Sequence, residues 1–196
     1  MSALNNPAVI QVLKHVTLTE AQAETFLLFL RNKKTKKKEI LLQAGTVAKD
    51  AAFVVSGCFR SFQFDENGHE VILQFAPANW WITDNYSFIS QQPNRTSIDC
   101  IESGEIFLLS REDQKKLFDL APPFERYFRI ISENALVAHQ QLVIDNLGLT
   151  AQERYEKFCR RYPTLADKIA QKYIASYIGV TPEFLSKMKA QLLRAK

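Results

Sequence analysis

Three cysteines, Cys58, Cys100 and Cys159, are scattered through 196 residues, and no two stand in a C-x-x-C pair. That spacing excludes a disulfide framework and a recognisable zinc or iron–sulfur site, and leaves buried structural thiols as the default. Histidine is as scarce: His15, His69 and His139 are isolated, without the i, i+4 spacing of a helical metal site. No run approaches the roughly 18 apolar residues of a membrane span. The start, MSALNNPAVIQVLKHV, has no basic segment followed by an apolar core and a small-residue cleavage site. A cytoplasmic location without membrane contact is therefore expected. A jelly-roll enzyme of the cupin type would need clustered histidine and carboxylate ligands facing into a barrel, which His69-Glu70 alone cannot supply. No enzymatic activity and no metal are expected.

Against these absences, apolar residues make up 46% of the chain and charged residues 23%, ordinary values for a folded domain. The length suffices for a core without staples. Charge is unevenly placed: residues 1–149 carry 15 Lys and Arg against 17 Asp and Glu, whereas residues 150–196 carry 10 against 4. Basic character confined to the last quarter points to an anionic partner for that part alone. A second basic run, RNKKTKKKE from Arg31 to Glu39, reads as a solvated charge run ahead of a strand and is given no function.

Thr19 is placed to cap a first helix, EAQAETFLLFLRN. Short β-rich runs follow: EILLQ, AAFVVSG, CFRSFQFD, EVILQFA, RTSIDCIE and GEIFLLS. Asn67-Gly68 between two alternating runs predicts a hairpin, and the regular spacing predicts a barrel, sandwich or jelly roll. Ser110 then precedes a short helix, REDQKKLFDLA, which stops at Pro122-Pro123. A longer helical pattern runs from Phe124 to about Asn146, with Phe128, Ile131, Ala135, Ala138 and Leu142 at steps of three and four. That seam fits packing on the chain's own β-domain and pairing with the same helix of a second subunit alike. After Gly148, Thr150 and Glu153 form a capping box for TAQERYEKFCRRYP.

The end of the chain, QKYIASYIGVTPEFLSKMKAQLLRAK, meets the demands of a helix-turn-helix. Ile174 and Ile178 share a face, Ala175 is a small contact residue, and Gly179 ends the first helix where φ > 0 is needed. Val180 plugs the turn. Thr181 caps the next helix, Pro182 suits its first position, and Leu185 with Met188 point back into the pair. Glu183, Ser186, Lys187 and Ala190 are then left on the outer face. Glutamate accepts from cytosine N4, lysine donates to guanine and serine adapts to either, whereas Lys189 and Arg194 suit phosphates. With Thr181, these are the candidate DNA-binding residues.

In this order of parts, the chain resembles the Crp/Fnr family of bacterial transcription regulators, and in its tail the short members common among Bacteroidetes-type bacteria. The resemblance in the β-part rests on ILLQAGTVAKDAAFVVSGCFRSFQFDENGHEVILQFAPANWWITD, with Gly45 and Gly57 as turn glycines and Asp65–Gly68 as the hairpin tip. It implies an α+β chain: a cyclic-nucleotide-binding-like, jelly-roll-like β-roll sensor over 1–121, a long dimerisation helix over 122–148, and a helix-turn-helix domain over 149–196. It also implies a homodimer on double-stranded DNA, joined through the Phe128–Leu142 seam, with RNA polymerase as a further partner. In the family's effector pocket a Gly-Glu pair and an Arg-Ser or Arg-Thr pair hold a cyclic nucleotide. Here Arg95 and Thr96 match the phosphate pair and Asp84 stands for the acid, while Thr83 replaces the glycine and Ser97 the following alanine. A cyclic nucleotide or another small-molecule effector is the cofactor implied. The rival expectation is a ligand-sensing module whose helical tail binds a protein partner instead of DNA.

Overall fold

The computed structural model describes residues 2–194, the side chains of residues 193 and 194 excepted. The chain is α+β and forms two compact units. The first takes in residues up to Gln63 together with Gln74–Asn134, the second Phe64–Leu73 together with residues from Ala135 onward.

In the first unit, Asn6 caps α1 (Pro7–Leu13), and the Thr19–Gln22 capping box opens α2 (Glu20–Phe29). The Thr19 cap is legible in the sequence. The seven residues of α1 are too few for a helical period to show. The strands are β1 (Arg31–Thr35), β2 (Ile40–Leu42), β3 (Asp50–Phe64), β4 (Glu70–Pro77), β5 (Trp81–Ile82) and β6 (Ser97–Ser110), with α3 (Asn85–Ser90) between β5 and β6. Their order in the sheet is β1-β6-β3-β4, with β2 paired to β6 and β5 to β3. Gly68, at φ 80°, turns the expected hairpin between β3 and β4. Ser110 caps α4 (Arg111–Leu120).

Two expectations change. Gly57 and Gly104 lie inside long strands rather than between short ones, because each permits a close backbone approach. A Cβ at Gly57 would stand 2.5 Å from the Glu102 carbonyl oxygen, and one at Gly104 2.1 Å from that of Ser56. The β3–β6 ladder shifts register at this point, as a bulge requires. The lysine run, expected as solvated chain, begins with strand β1, paired to β6 from Arg31↔Leu108 to Thr35↔Gly104. Its backbone ladder holds it while its lysines face water at the sheet edge, where charge discourages edge-to-edge pairing.

The roll is filled by Val54, Phe59, Ile98 and Ile106, and a second cluster joins Phe26, Phe53, Leu117 and Phe124. Burial raises the Cys58 thiol to about 12 and also raises Cys100, so neither is a ready nucleophile. Trp81 donates its indole N–H to the Tyr127 hydroxyl at 3.0 Å and packs against Phe53 and Phe128. Between β3 and β6, Arg60 meets Asp99 in a buried fork, Nε–Oδ1 2.7 Å and Nη2–Oδ2 2.9 Å.

The helix α5 (Pro123–Gly148) is followed by α6 (Ala151–Arg161), α7 (Gln171–Ile178) and α8 (Pro182–Arg194). The Thr150–Glu153 capping box opens α6. In the second unit, Phe158, Tyr162 and Tyr177 lie ring to ring at 5.4–5.8 Å and are all buried. Among the described residues no helix is long and apolar enough to cross a membrane.

Candidate nucleic-acid interface

The angle between α7 and α8 follows from a few local choices. Ile174 and Ala175 are fully buried, Gly179 adopts φ 71°, and the Val180 N–H donates back to the Ala175 carbonyl at 3.0 Å. This is the left-handed helix stop that glycine makes without strain. Thr181 Oγ1 accepts from the Phe184 N–H at 3.2 Å, Pro182 begins α8, and Leu185 and Met188 are buried beneath it.

One strut was not legible. Arg154 donates from Nε to the Ile178 carbonyl at 2.7 Å and from Nη1 to the Leu149 carbonyl at 2.6 Å, tying the start of α6 to the last turn of α7. In the sequence it is one more cation of the basic tail. Ser176 was missed in the same way. Its hydroxyl donates to the Glu70 carbonyl at 2.6 Å and accepts from the Ile72 N–H at 3.0 Å, seating the start of β4 on α7 within the second unit. The bonds to Ile178, Glu70 and Ile72 leave no local signal, since their partners are 24 to 106 positions away in the chain.

With that frame set, Glu183, Ser186 and Lys187 are exposed on α8, beside the exposed Thr181 that precedes it. The backbone N–H of Glu183 itself, and then the Thr181 hydroxyl, hold the Glu183 carboxyl below its usual range. It is thus an ionised acceptor. Lys189 is half-buried, its ammonium 5.6 Å from the Tyr155 ring centre. Arg194's side chain lies outside the described residues. Phe184, which the sequence reading did not single out, is 51% exposed beside Glu183.

The three effector candidates are brought together only in part. Asp84 caps α3, with Oδ1 accepting from the Ser87 N–H at 2.9 Å and Oδ2 from the Thr96 hydroxyl at 2.6 Å. The acid and the threonine therefore occupy each other. Arg95 is exposed and forms no ion pair among the described residues. Thr83 donates its hydroxyl to the Asp50 carbonyl at 3.0 Å.

The seam expected on α5 is covered at its first end by the chain's own core. Phe128 is 9% exposed inside the first unit's own core, and Ile131 packs against that core. Ala135 is half-buried, and Ala138 and Leu142 line a cavity of about 330 Å³ with Phe158, Tyr177 and Ile178 of their own unit. A different stripe of α5 faces outward: Leu136, Val137, Val143, Ile144 and Leu147, each at least 57% exposed. Periodicity finds an apolar face but cannot say whether the chain itself covers it.

Residues 32–120 match the family model of the cyclic nucleotide-binding domain. No curated protein sequence matches the chain. Among solved structures it is similar to the c-di-GMP responsive global regulator CLP of Xanthomonas campestris, with TM-score 0.74 and 14% identity over 90% of this chain and 93% of that one. It is similar to FixK2 of Bradyrhizobium japonicum, with TM-score 0.72 and 20% identity over 85% of each chain. A transcriptional regulator of the Crp/Fnr family from Eubacterium rectale aligns with TM-score 0.69 and 15% identity over 91% of this chain and 85% of that one. The chain thus carries a cyclic nucleotide-binding domain over residues 32–120 within the fold of the Crp/Fnr transcription regulators.

Proposed function

We propose that the chain is a sequence-specific, DNA-binding transcription regulator of the Crp/Fnr type, acting as a homodimer and gated by a small molecule in the β-roll. The observation that carries this is the exposure of Glu183, Ser186 and Lys187 on one face of α8, over a helix pair locked by Gly179, Thr181 and Arg154. A recognition helix must present polar side chains to base edges from a rigid support, and the exposed polar face of α8 over this helix pair meets that requirement. Two copies would place two such helices in successive major grooves of a pseudo-palindromic site. RNA polymerase is the further partner such a regulator would meet.

Duplex DNA should shift in a salt-dependent manner, and no binding at low salt would remove the proposal. Lys187→Ala is expected to relax preference at one base pair by roughly 1–3 kcal/mol, whereas Lys189→Ala should weaken all sequences evenly and lower the salt slope by about 1. Equal, sequence-independent losses from both would show that α8 enters the groove by another face.

For the effector, the ribose hydroxyl of a cyclic nucleotide would share the Asp84 carboxylate with the Ser87 N–H and the Thr96 hydroxyl, which its remaining lone pairs permit. Arg95→Ala is expected to abolish calorimetric heat from cyclic AMP or cyclic GMP while leaving the dimer intact. Absence of heat with the unaltered protein would exclude both nucleotides as the effector.

A further inference from the structure

Between Thr150 and Leu192, Phe184 is the one exposed large apolar side chain among the described residues, at 51%. Every other bulky apolar group there is wholly or partly covered by the chain's own core. Phe184 makes no ring or cation contact with another described residue. A single exposed apolar side chain on a protein surface needs no explanation in general, but this one occupies the first turn of α8, two residues past Pro182. The first turn of a helix entering the major groove is the part that meets base edges. In helical projection Phe184 stands about 60° round from Lys187 and about 100° from Glu183. It borders the polar face without belonging to the buried one.

The floor of the major groove is a row of hydrogen-bonding groups, and its apolar feature is the C5-methyl of thymine. A phenyl ring set among Thr181, Glu183 and Lys187 finds its largest apolar partner in that groove in this methyl. Building on the DNA-reading function proposed above, we infer that Phe184 is a specificity-determining residue that recognises a thymine methyl beside the base pair read by Lys187. The ring supplies apolar contact where the neighbouring side chains supply hydrogen bonds and charge, so the helix distinguishes thymine from cytosine at a position where no polar side chain does so.

Deoxyuridine isolates this contact, because it removes the methyl and leaves every pairing and groove hydrogen bond in place. Duplexes selected by the full-length protein from random DNA would be resynthesised with deoxyuridine at each thymine in turn, and affinity measured at constant salt. At one thymine per half-site the unaltered protein should lose about four-fold, the worth of one buried methyl group. Phe184→Ala should bind the thymine and deoxyuridine duplexes equally, and Phe184→Leu, which keeps an apolar side chain, should retain part of the preference. A deoxyuridine penalty of the same size in the parent and in Phe184→Ala would overturn the assignment, as would no penalty at any position in the parent. Failure to bind any duplex is a separate result: it would remove the DNA-reading function itself and this contact with it.

Discussion

Leu136→Glu and Val143→Glu are each expected to turn the proposed homodimer into a monomer and to lower affinity for a two-half-site duplex by roughly 10²–10⁴-fold. The reason lies on the outer face of α5. Leu136 and Val143 are seven residues apart, as are Val137 and Ile144, and Leu147 follows Val143 by four, so the stripe keeps the spacing of a helix–helix seam. These side chains are 57–86% exposed in the single chain, a cost in water that a second copy would relieve. Across a two-fold axis the same stripe meets itself, so one substitution places two carboxylates in the seam. The energetic loss is that of burying unpaired, mutually repelling charge. Because neither residue supports the chain's own core, thermal unfolding of the monomer should move little, by about 0.5 kcal/mol at most. Sedimentation velocity would report the dissociation and gel shifts the lost affinity. A variant that remains dimeric would show that the copies meet through another surface.

The second large effect concerns stability. Asp99→Ala should destabilise the first unit by about 3–5 kcal/mol. Side-chain exposure is 4% for Arg60 and 11% for Asp99, and the two share both bonds of the fork. Arg60 also lies over the Phe62 ring at 4.3 Å from its centre, so it cannot swing to water without uncovering that ring. Guanidinium does not lose its proton at any ordinary pH. Removing the carboxylate therefore leaves a permanent charge in a buried site without its main partner. At 2–4 °C per kcal/mol for a chain of this size, the melting temperature should fall by roughly 10 °C. Replacing both residues, as in Arg60→Met with Asp99→Leu, removes the charges together and should recover most of the loss. Urea unfolding of the single and double variants would decide it. A single-variant cost below about 1 kcal/mol would mean that the fork is not the main partner of the buried guanidinium.

Much of the second unit was legible because its signals are local. The capping box at Thr150, the helix stop at Gly179 and the cap at Thr181 each involve residues within a few positions of one another, and the structure has all three. The α8 face was legible for the same reason: once Leu185 and Met188 are read as inward, helical geometry leaves Glu183, Ser186 and Lys187 outside. Phe184 is not legible in this way, because an aromatic in an apolar pattern looks like a core residue and only exposure distinguishes it. The β-roll was harder. Gly57 and Gly104 read as strand breaks, yet the structure uses each as a place where two long strands nearly touch.

Sequence alone determined the hairpin at Asn67-Gly68 and the helix pair at the end of the chain, since each rests on contacts between near neighbours, and the class of fold followed from the order of its parts. Tertiary structure alone decided which face of α5 the chain covers, that Asp84 and Thr96 bond to each other, and that Arg154 is a strut rather than a free cation. These outcomes depend on residues that are distant along the chain and adjacent in space. Periodicity carries no record of which distant partner will arrive.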